Sequence, residues 1–184
     1  MRRAFRLTLA ALLLLPFAAT AKAGCPAAPF VQSAGAAMMG AARKKSPAAF
    51  SGVASRYTDL HAIALFALGQ HRSSLTKAKE AEYVALTRSF VGRFMAKYAG
   101  RFDGRGMSVT ECTASGKAVT VAAKLSGGQK VVFRLNHTRS GYKVRDLNVS
   151  SVWLAQQLRS TFVGVIRRNG GDVAALFKYL RDYS

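Results

Sequence analysis

Acidic residues are scarce in this chain, and that scarcity is the first constraint on its function. The 184 residues include 8 Asp plus Glu against 28 Lys plus Arg, a formal net charge of +20. A balance so basic predicts an acidic partner, which is nucleic acid, an anionic membrane surface or an acidic protein. Half of the residues are hydrophobic and the length suits one domain, so composition excludes both a disordered tail and a multidomain enzyme.

Residues for metal binding and catalysis are also few. The three histidines, His61, His71 and His137, show no metal-ligand spacing with one another or with the two cysteines. Asp59 and Asp172 stand where helix caps are expected, and no two carboxylates form an obvious acid-base couple. The sequence contains no serine elbow between glycines, no phosphate-binding loop and no dinucleotide fingerprint. We therefore predict that the protein is not an enzyme and holds neither a metal nor a cofactor.

A hydrophobic run long enough to span a bilayer is missing too. The longest run, residues 7–19, is too short, and it follows Arg2, Arg3 and Arg6. Residues 19–23 then contain two overlapping A-x-A patterns, so residues 1–23 are predicted to be a cleaved export signal and residues 24–184 a single domain. The signal carries four basic residues and no acidic one, so its removal leaves 161 residues with a net charge of +16. Export argues against a nucleic-acid partner.

Export also bears on the state of the two cysteines, Cys25 and Cys112. Two cysteines in an oxidising compartment are candidates for one disulfide, which would join the start of the mature chain to its middle. The alternative is a lipoprotein acylated at Cys25. Against it, Lys22 stands three residues before that cysteine, where a lipoprotein signal requires an aliphatic residue.

The hydrophobic periodicity of the mature chain changes once, near residue 104. Before that point the pattern is helical, and afterwards it alternates in four short segments separated by glycine-bearing turns. A helical pattern then returns to the end of the chain. The predicted helices cover residues 30–42, 47–57, 60–68, 76–100, 151–169 and 173–183, and the predicted strands cover 107–114, 118–125, 130–137 and 142–149.

The third predicted strand shows what the sheet requires. Val131, Phe133 and Leu135 face one way and the intervening, more polar residues face the other, so one face of the sheet needs a covering layer. The fold class is therefore α+β, in which a four-stranded antiparallel meander is covered by helices on one face. Such a layered arrangement can enclose an apolar cavity.

Several segments, in their order along the chain, resemble the MlaC (toluene-tolerance) family of periplasmic phospholipid-binding proteins. The most specific are residues 142–147, Tyr-Lys-Val-Arg-Asp-Leu, followed by the serine-bearing turn in 148–153 and by Leu-Arg-Ser-Thr-Phe at 158–162. Upstream, residues 63–69 and the aromatic series Tyr83, Phe90, Phe94 and Tyr98 are also similar to the family pattern. The resemblance covers about residues 28–183. The chain departs from the pattern at residues 70–72 and 148–151.

The resemblance implies an NTF2-like cone around an apolar cavity and a soluble carrier with phospholipid as its cargo. The carrier would move lipid between an outer-membrane lipoprotein complex and an inner-membrane ABC transporter with an MCE-domain subunit, and so maintain outer-membrane lipid asymmetry. The alternatives are a carrier of hopanoids or another lipid, a small cone-shaped enzyme, and an envelope interaction protein with a filled core. The residues expected to contact acyl chains are Phe90, Phe94, Val131, Phe133, Leu135, Tyr142, Val144, Leu154, Leu158 and Phe162.

Overall fold

The structure is a computed structural model that describes residues 24–101 and 106–184. The predicted export signal, residues 1–23, lies outside the described residues. The N-terminal half is helical, as expected, and two short 3-10 helices, Gly69–Ser74 and Ala99–Arg101, follow its third and fourth helices. These four helices are α1 (Ala28–Lys44), α2 (Pro47–Tyr57), α3 (Leu60–Ala67) and α4 (Lys77–Lys97).

Short polar side chains fix where α2 and α3 begin. The Ser46 hydroxyl accepts a hydrogen bond from the backbone N–H of Ala49 at 3.2 Å, and the Asp59 carboxylate accepts one from Ala62 at 3.3 Å. Each bond satisfies a backbone donor that the helix itself cannot pair. After α3, Gly69 takes a positive φ of 58°, which lets the chain leave the helix without a steric penalty.

The sheet is an antiparallel meander of five strands, each paired with the next one along the chain. Two bulges interrupt its register, one between Val109 and Glu111 of the first strand and one where Arg134 and Leu135 pair with the fourth. Val131, Phe133 and Leu135 are buried while Arg134 is exposed, so the predicted alternation is confirmed. The strands are β1 (Met107–Ser115), β2 (Ala118–Leu125), β3 (Lys130–Thr138), β4 (Gly141–Val149) and β5 (Val152–Trp153).

The fifth strand differs from the sequence prediction, which placed the start of a helix at residue 151. Ser150 and Ser151 have φ values of 50° and 67°, which form a tight left-handed turn and are incompatible with a right-handed helix. The turn folds Val152 and Trp153 back onto the end of β4. A strand of two residues is too short to show alternation, so the pattern gave no signal for it.

Two helices complete the chain, α5 (Leu154–Arg168) and α6 (Val173–Asp182). The Asp172 carboxylate caps α6 by accepting from the Ala174 N–H at 2.8 Å. Tyr83 of α4 lies at the centre of a helical core with Phe162 and Phe177, where its hydroxyl donates to the Ala64 carbonyl at 2.8 Å. A second core joins the start of α1 to the apolar face of the sheet, and a third joins α1, α2 and α4. The α+β class with helices on the apolar sheet face is confirmed.

Candidate functional site

An apolar cavity of about 390 Å³ lies between the sheet and its helical cover. Val131 and Phe133 contribute the sheet wall, and residues of all the helices complete the enclosure. The volume falls within the range of small-molecule binding sites, about 300–1,000 Å³. The two layers therefore do not pack completely against each other.

Most of the residues predicted to contact acyl chains lie on this cavity. They come from α4, the sheet and the first turns of α5, which face one another across the space. Their contact with a lipid stays a prediction, because a position on the cavity wall does not identify the ligand. The seven predicted residues in the lining are Phe90, Phe94, Val131, Phe133, Val144, Leu154 and Leu158.

The other three predicted residues lie elsewhere. Phe162 is fully buried in the helical core, with its ring 5.4 Å from the ring of Phe90, and Leu135 is buried in the core between α1 and the sheet. Tyr142 is half-buried near the sheet end, where its ring stacks on His137 at 4.8 Å. These side chains support the wall of the cavity without lining it.

The first two helices also line the cavity, although none of their residues was among those predicted to contact acyl chains. Gly35 and Met38 of α1 line the cavity, as do Phe50, Val53 and Tyr57 of α2. The spacing of three and four residues between the last three is the available signal, although the same spacing describes an ordinary core helix. At Gly35 the absence of a side chain makes room for Met107, because an added Cβ would collide with the methyl group of that methionine.

Two tyrosines from α6 and the chain end, Tyr179 and Tyr183, add aromatic surface. The ring of Tyr183 lies 4.6 Å from that of Phe90. Desolvation raises the pKa of both phenols above their ordinary value. A tyrosine hydroxyl is neutral at physiological pH even at its ordinary pKa, and the raised pKa values extend that neutrality to higher pH, so this part of the lining is uncharged.

Polar lining residues are few, and apart from Thr58 and the tyrosines they come from α5 and the neighbouring strand β4. Gln157 and Arg145 are exposed, and Thr161 is half-buried. Because exposed residues can line a cavity only at its boundary with solvent, Gln157 and Arg145 mark its rim. The interior of the cavity is apolar and its rim is polar, which suits a ligand with an apolar body and a polar end.

Cys25 and Cys112 are joined by a disulfide across 87 positions of sequence. The bond ties the segment just before α1 to β1, beside the core that holds α1 on the sheet. A sulfur bonded in this way is not free to carry an acyl chain. The disulfide therefore anchors one end of the helix that supplies part of the cavity wall.

The described residues contain no group of three or more His, Cys, Asp or Glu side chains placed to hold a metal ion. Within residues 24–101 and 106–184, no helix has both the length and the apolar character needed to cross a membrane.

The family model for the MlaC protein matches residues 33–182. The chain belongs to the MlaC family. The matched region contains all six helices, except for the first residues of α1, and the entire sheet. The family assignment that the sequence motifs predicted is thus confirmed. A search of curated proteins found no match.

The fold of this MlaC-family chain is similar to that of a solved phospholipid-binding protein from Ralstonia solanacearum, whose structure contains a phospholipid. The TM-score is 0.71 at 19% sequence identity, and the alignment covers 85% of this chain and 95% of the other. At that identity the likeness establishes a shared fold.

Proposed function

We propose that this MlaC-family protein binds phospholipid by enclosing its acyl chains in the apolar cavity, and that it carries the lipid through the periplasm. The observation that carries the proposal is the cavity of about 390 Å³ between the sheet and the helices. The solved relative from Ralstonia solanacearum, which holds a phospholipid on the same fold, supports the choice of ligand.

The physical need for such a cavity follows from the hydrophobic effect. Burying one methylene group is worth about 0.8 kcal/mol, so exposing two chains with about 30 methylenes costs roughly 24 kcal/mol. Lipid does not cross an aqueous compartment at a useful rate against that cost. A carrier lowers the cost by keeping the chains covered, while the headgroup stays near water at the polar rim.

The proposed route runs between an outer-membrane lipoprotein complex and an inner-membrane ABC transporter with an MCE-domain subunit. Two features support it: the predicted export signal at residues 1–23 and membership of the MlaC family. The net charge of +16 on the mature chain favours approach to anionic membrane surfaces at both ends of the route. By this route the carrier would maintain outer-membrane lipid asymmetry.

A hopanoid or another lipid is the alternative cargo, because an apolar wall does not by itself distinguish one hydrocarbon from another. An enzyme of the same shape would need ionisable groups that converge inside the cavity. Among the described lining residues only Arg145 and Asp146 are charged, and Arg145 lies at the rim. An interaction protein with a filled core would lack the cavity. Both observations favour a carrier.

Native mass spectrometry of protein purified without detergent from its own host tests the proposal. We expect a mass increment equal to one phospholipid, and lipid extraction should identify its chains and headgroup. Lipid-stripped protein should then take up phospholipid from vesicles. Protein that carries no lipid and takes none up would refute the proposal, and a bound hopanoid would select the alternative cargo.

A further inference from the structure

One cation at the rim of the cavity lacks a partner. Arg145 is exposed and lines the cavity, and its side chain has no hydrogen bond or ion pair with any of the described residues. Its neighbour Asp146, the other charged lining residue, is already engaged. The Asp146 carboxylate accepts from the backbone N–H groups of Leu147 at 2.8 Å and Ala155 at 2.9 Å, which caps the start of α5. Arg145 is therefore the lining charge that remains available to a ligand.

A β-bulge places Arg145 at this position. In the register between β3 and β4, Arg134 pairs with Asp146 and Leu135 pairs with Val144, so Arg145 is the extra residue that faces no partner. A bulge bends its strand and redirects a side chain that regular alternation would send to the opposite face of the sheet. The connection between α2 and α3 lies against the same point, because Thr58 forms a bridge with Val144.

Two further cations, Lys143 of β4 and Arg56 of α2, lie close to that connection. The Lys143 ammonium group donates to the backbone carbonyl of Arg56 at 2.6 Å, and the guanidinium carbon of Arg56 lies 5.4 Å from the ring centre of Tyr57, a lining residue. On the α5 side, the side-chain amide of Gln157 offers a neutral hydrogen-bonding group, whereas the Thr161 hydroxyl already donates to the Gln157 backbone carbonyl at 2.9 Å. Arg145 and the amide of Gln157 thus lie at the rim itself, while Lys143 and Arg56 add positive charge beside the lining residue Tyr57.

This arrangement fits an anion attached to the end of an apolar ligand. Building on the proposed function, we propose that the rim is a phosphate-diester site in which Arg145 binds the phosphate of the lipid whose chains occupy the cavity. A guanidinium can form two parallel hydrogen bonds to phosphate oxygens, and Arg56 and Lys143 raise the local positive potential. Asp146, the one carboxylate among the described lining residues, uses its Oδ1 atom to cap α5, so the proposed site recognises the phosphate through Arg145 and leaves the rest of the headgroup in water.

The test compares two ligands with identical fluorescent acyl chains, a phosphatidylglycerol and a diacylglycerol that lacks the phosphate. Wild-type protein should bind the phosphatidylglycerol about tenfold more tightly, the effect of one charge-assisted hydrogen-bond pair. Arg145→Gln should lose that preference while its affinity for the diacylglycerol stays unchanged, which also shows that the variant is folded. Arg139→Gln, which removes an exposed arginine from the turn between β3 and β4, should behave as wild type.

Equal affinity of the wild-type protein for the two ligands would overturn this proposal and leave lipid carriage intact. A preference for phosphate that survives in Arg145→Gln would overturn the role of Arg145. Inorganic phosphate without acyl chains is the third ligand, and saturable binding of it with similar affinity would reassign the site to free phosphate. Wild-type protein that binds neither lipid would refute the proposed function itself, so the two failures are distinguishable.

Discussion

At the scale of single residues, lining the cavity and supporting its wall are separable roles. Val53 of α2 and Val132 of β3 are both half-buried valines, but only Val53 lines the cavity. Val132 lies in β3 between the buried Val131 and Phe133, and the alternation of the strand turns it to the outer face of the sheet. The pair therefore allows the same substitution to be made inside and outside the cavity.

Val53→Trp should lower the affinity for phospholipid because the larger ring occupies space that the acyl chains need. Displacing two methylene groups is enough for a decrease of about tenfold, since each is worth about 0.8 kcal/mol when buried. Val132→Trp is the matched control and should bind as wild type. The measurement is uptake of a fluorescent phospholipid from vesicles. A similar decrease in both variants would contradict the assignment of the cavity as the binding site.

A second comparison truncates two side chains that lie one turn apart on α5, Phe162 in the core and Leu158 in the cavity lining. Phe162→Ala should lower the free energy of unfolding by about 3–5 kcal/mol, because it opens a hole in a fully buried aromatic core. Leu158→Ala should cost less than about 2 kcal/mol, since Leu158 is half-buried and already borders unfilled space. Urea unfolding of lipid-free protein measures both. Equal losses would mean that the cavity is filled by packing in solution.

At the scale of secondary structure elements, local signals predicted most of the fold. The expected caps Asp59 and Asp172 mark helix starts that the structure reproduces, and glycine-bearing turns separate the first four strands. The fifth strand left no signal because it is only two residues long. The cavity also has no signal in the sequence pattern. Phe90, which lines the cavity, and Phe162, which does not, occupy equivalent positions in their helical patterns. Periodicity shows which face is buried, but only the packing of layers shows whether the buried space is filled.

The disulfide acts on α1 as an element, because it fixes the segment before that helix to β1. Replacing Cys25 and Cys112 together by alanine should lower the free energy of unfolding by about 4 kcal/mol, the loop-entropy value for a span of 87 positions. Phospholipid affinity should fall as well, because α1 supplies lining residues. Chemical denaturation of the oxidised wild type and the double variant gives the first value. An unchanged stability would show that the bond adds no constraint beyond the packing of α1.

At the scale of the whole molecule, the shortage of acidic residues leaves a positive field with little local compensation. The described carboxylates are mostly engaged: Glu80 pairs with His61, Glu82 with Lys79 and Arg181, and Asp182 with Lys178. Asp59, Asp146 and Asp172 cap helices. Most lysine and arginine side chains therefore have no nearby negative charge to offset them, and the molecule presents net positive charge to any surface it meets.

This field predicts that the protein associates with anionic vesicles and that salt weakens the association. Each basic residue close to such a surface contributes about 1 kcal/mol, and the Debye length falls from about 10 Å at 0.1 M salt to about 3 Å at 1 M. Co-sedimentation with phosphatidylglycerol vesicles should thus be strong at low salt and lost at high salt, and vesicles of neutral phosphatidylcholine should bind little at either. Arg145→Gln should retain most of the association, because one charge among many changes the field only slightly. Vesicle binding that changes neither with salt concentration nor with lipid charge would mean that the protein contacts membranes by apolar insertion. The basic residues would then bind a different acidic partner.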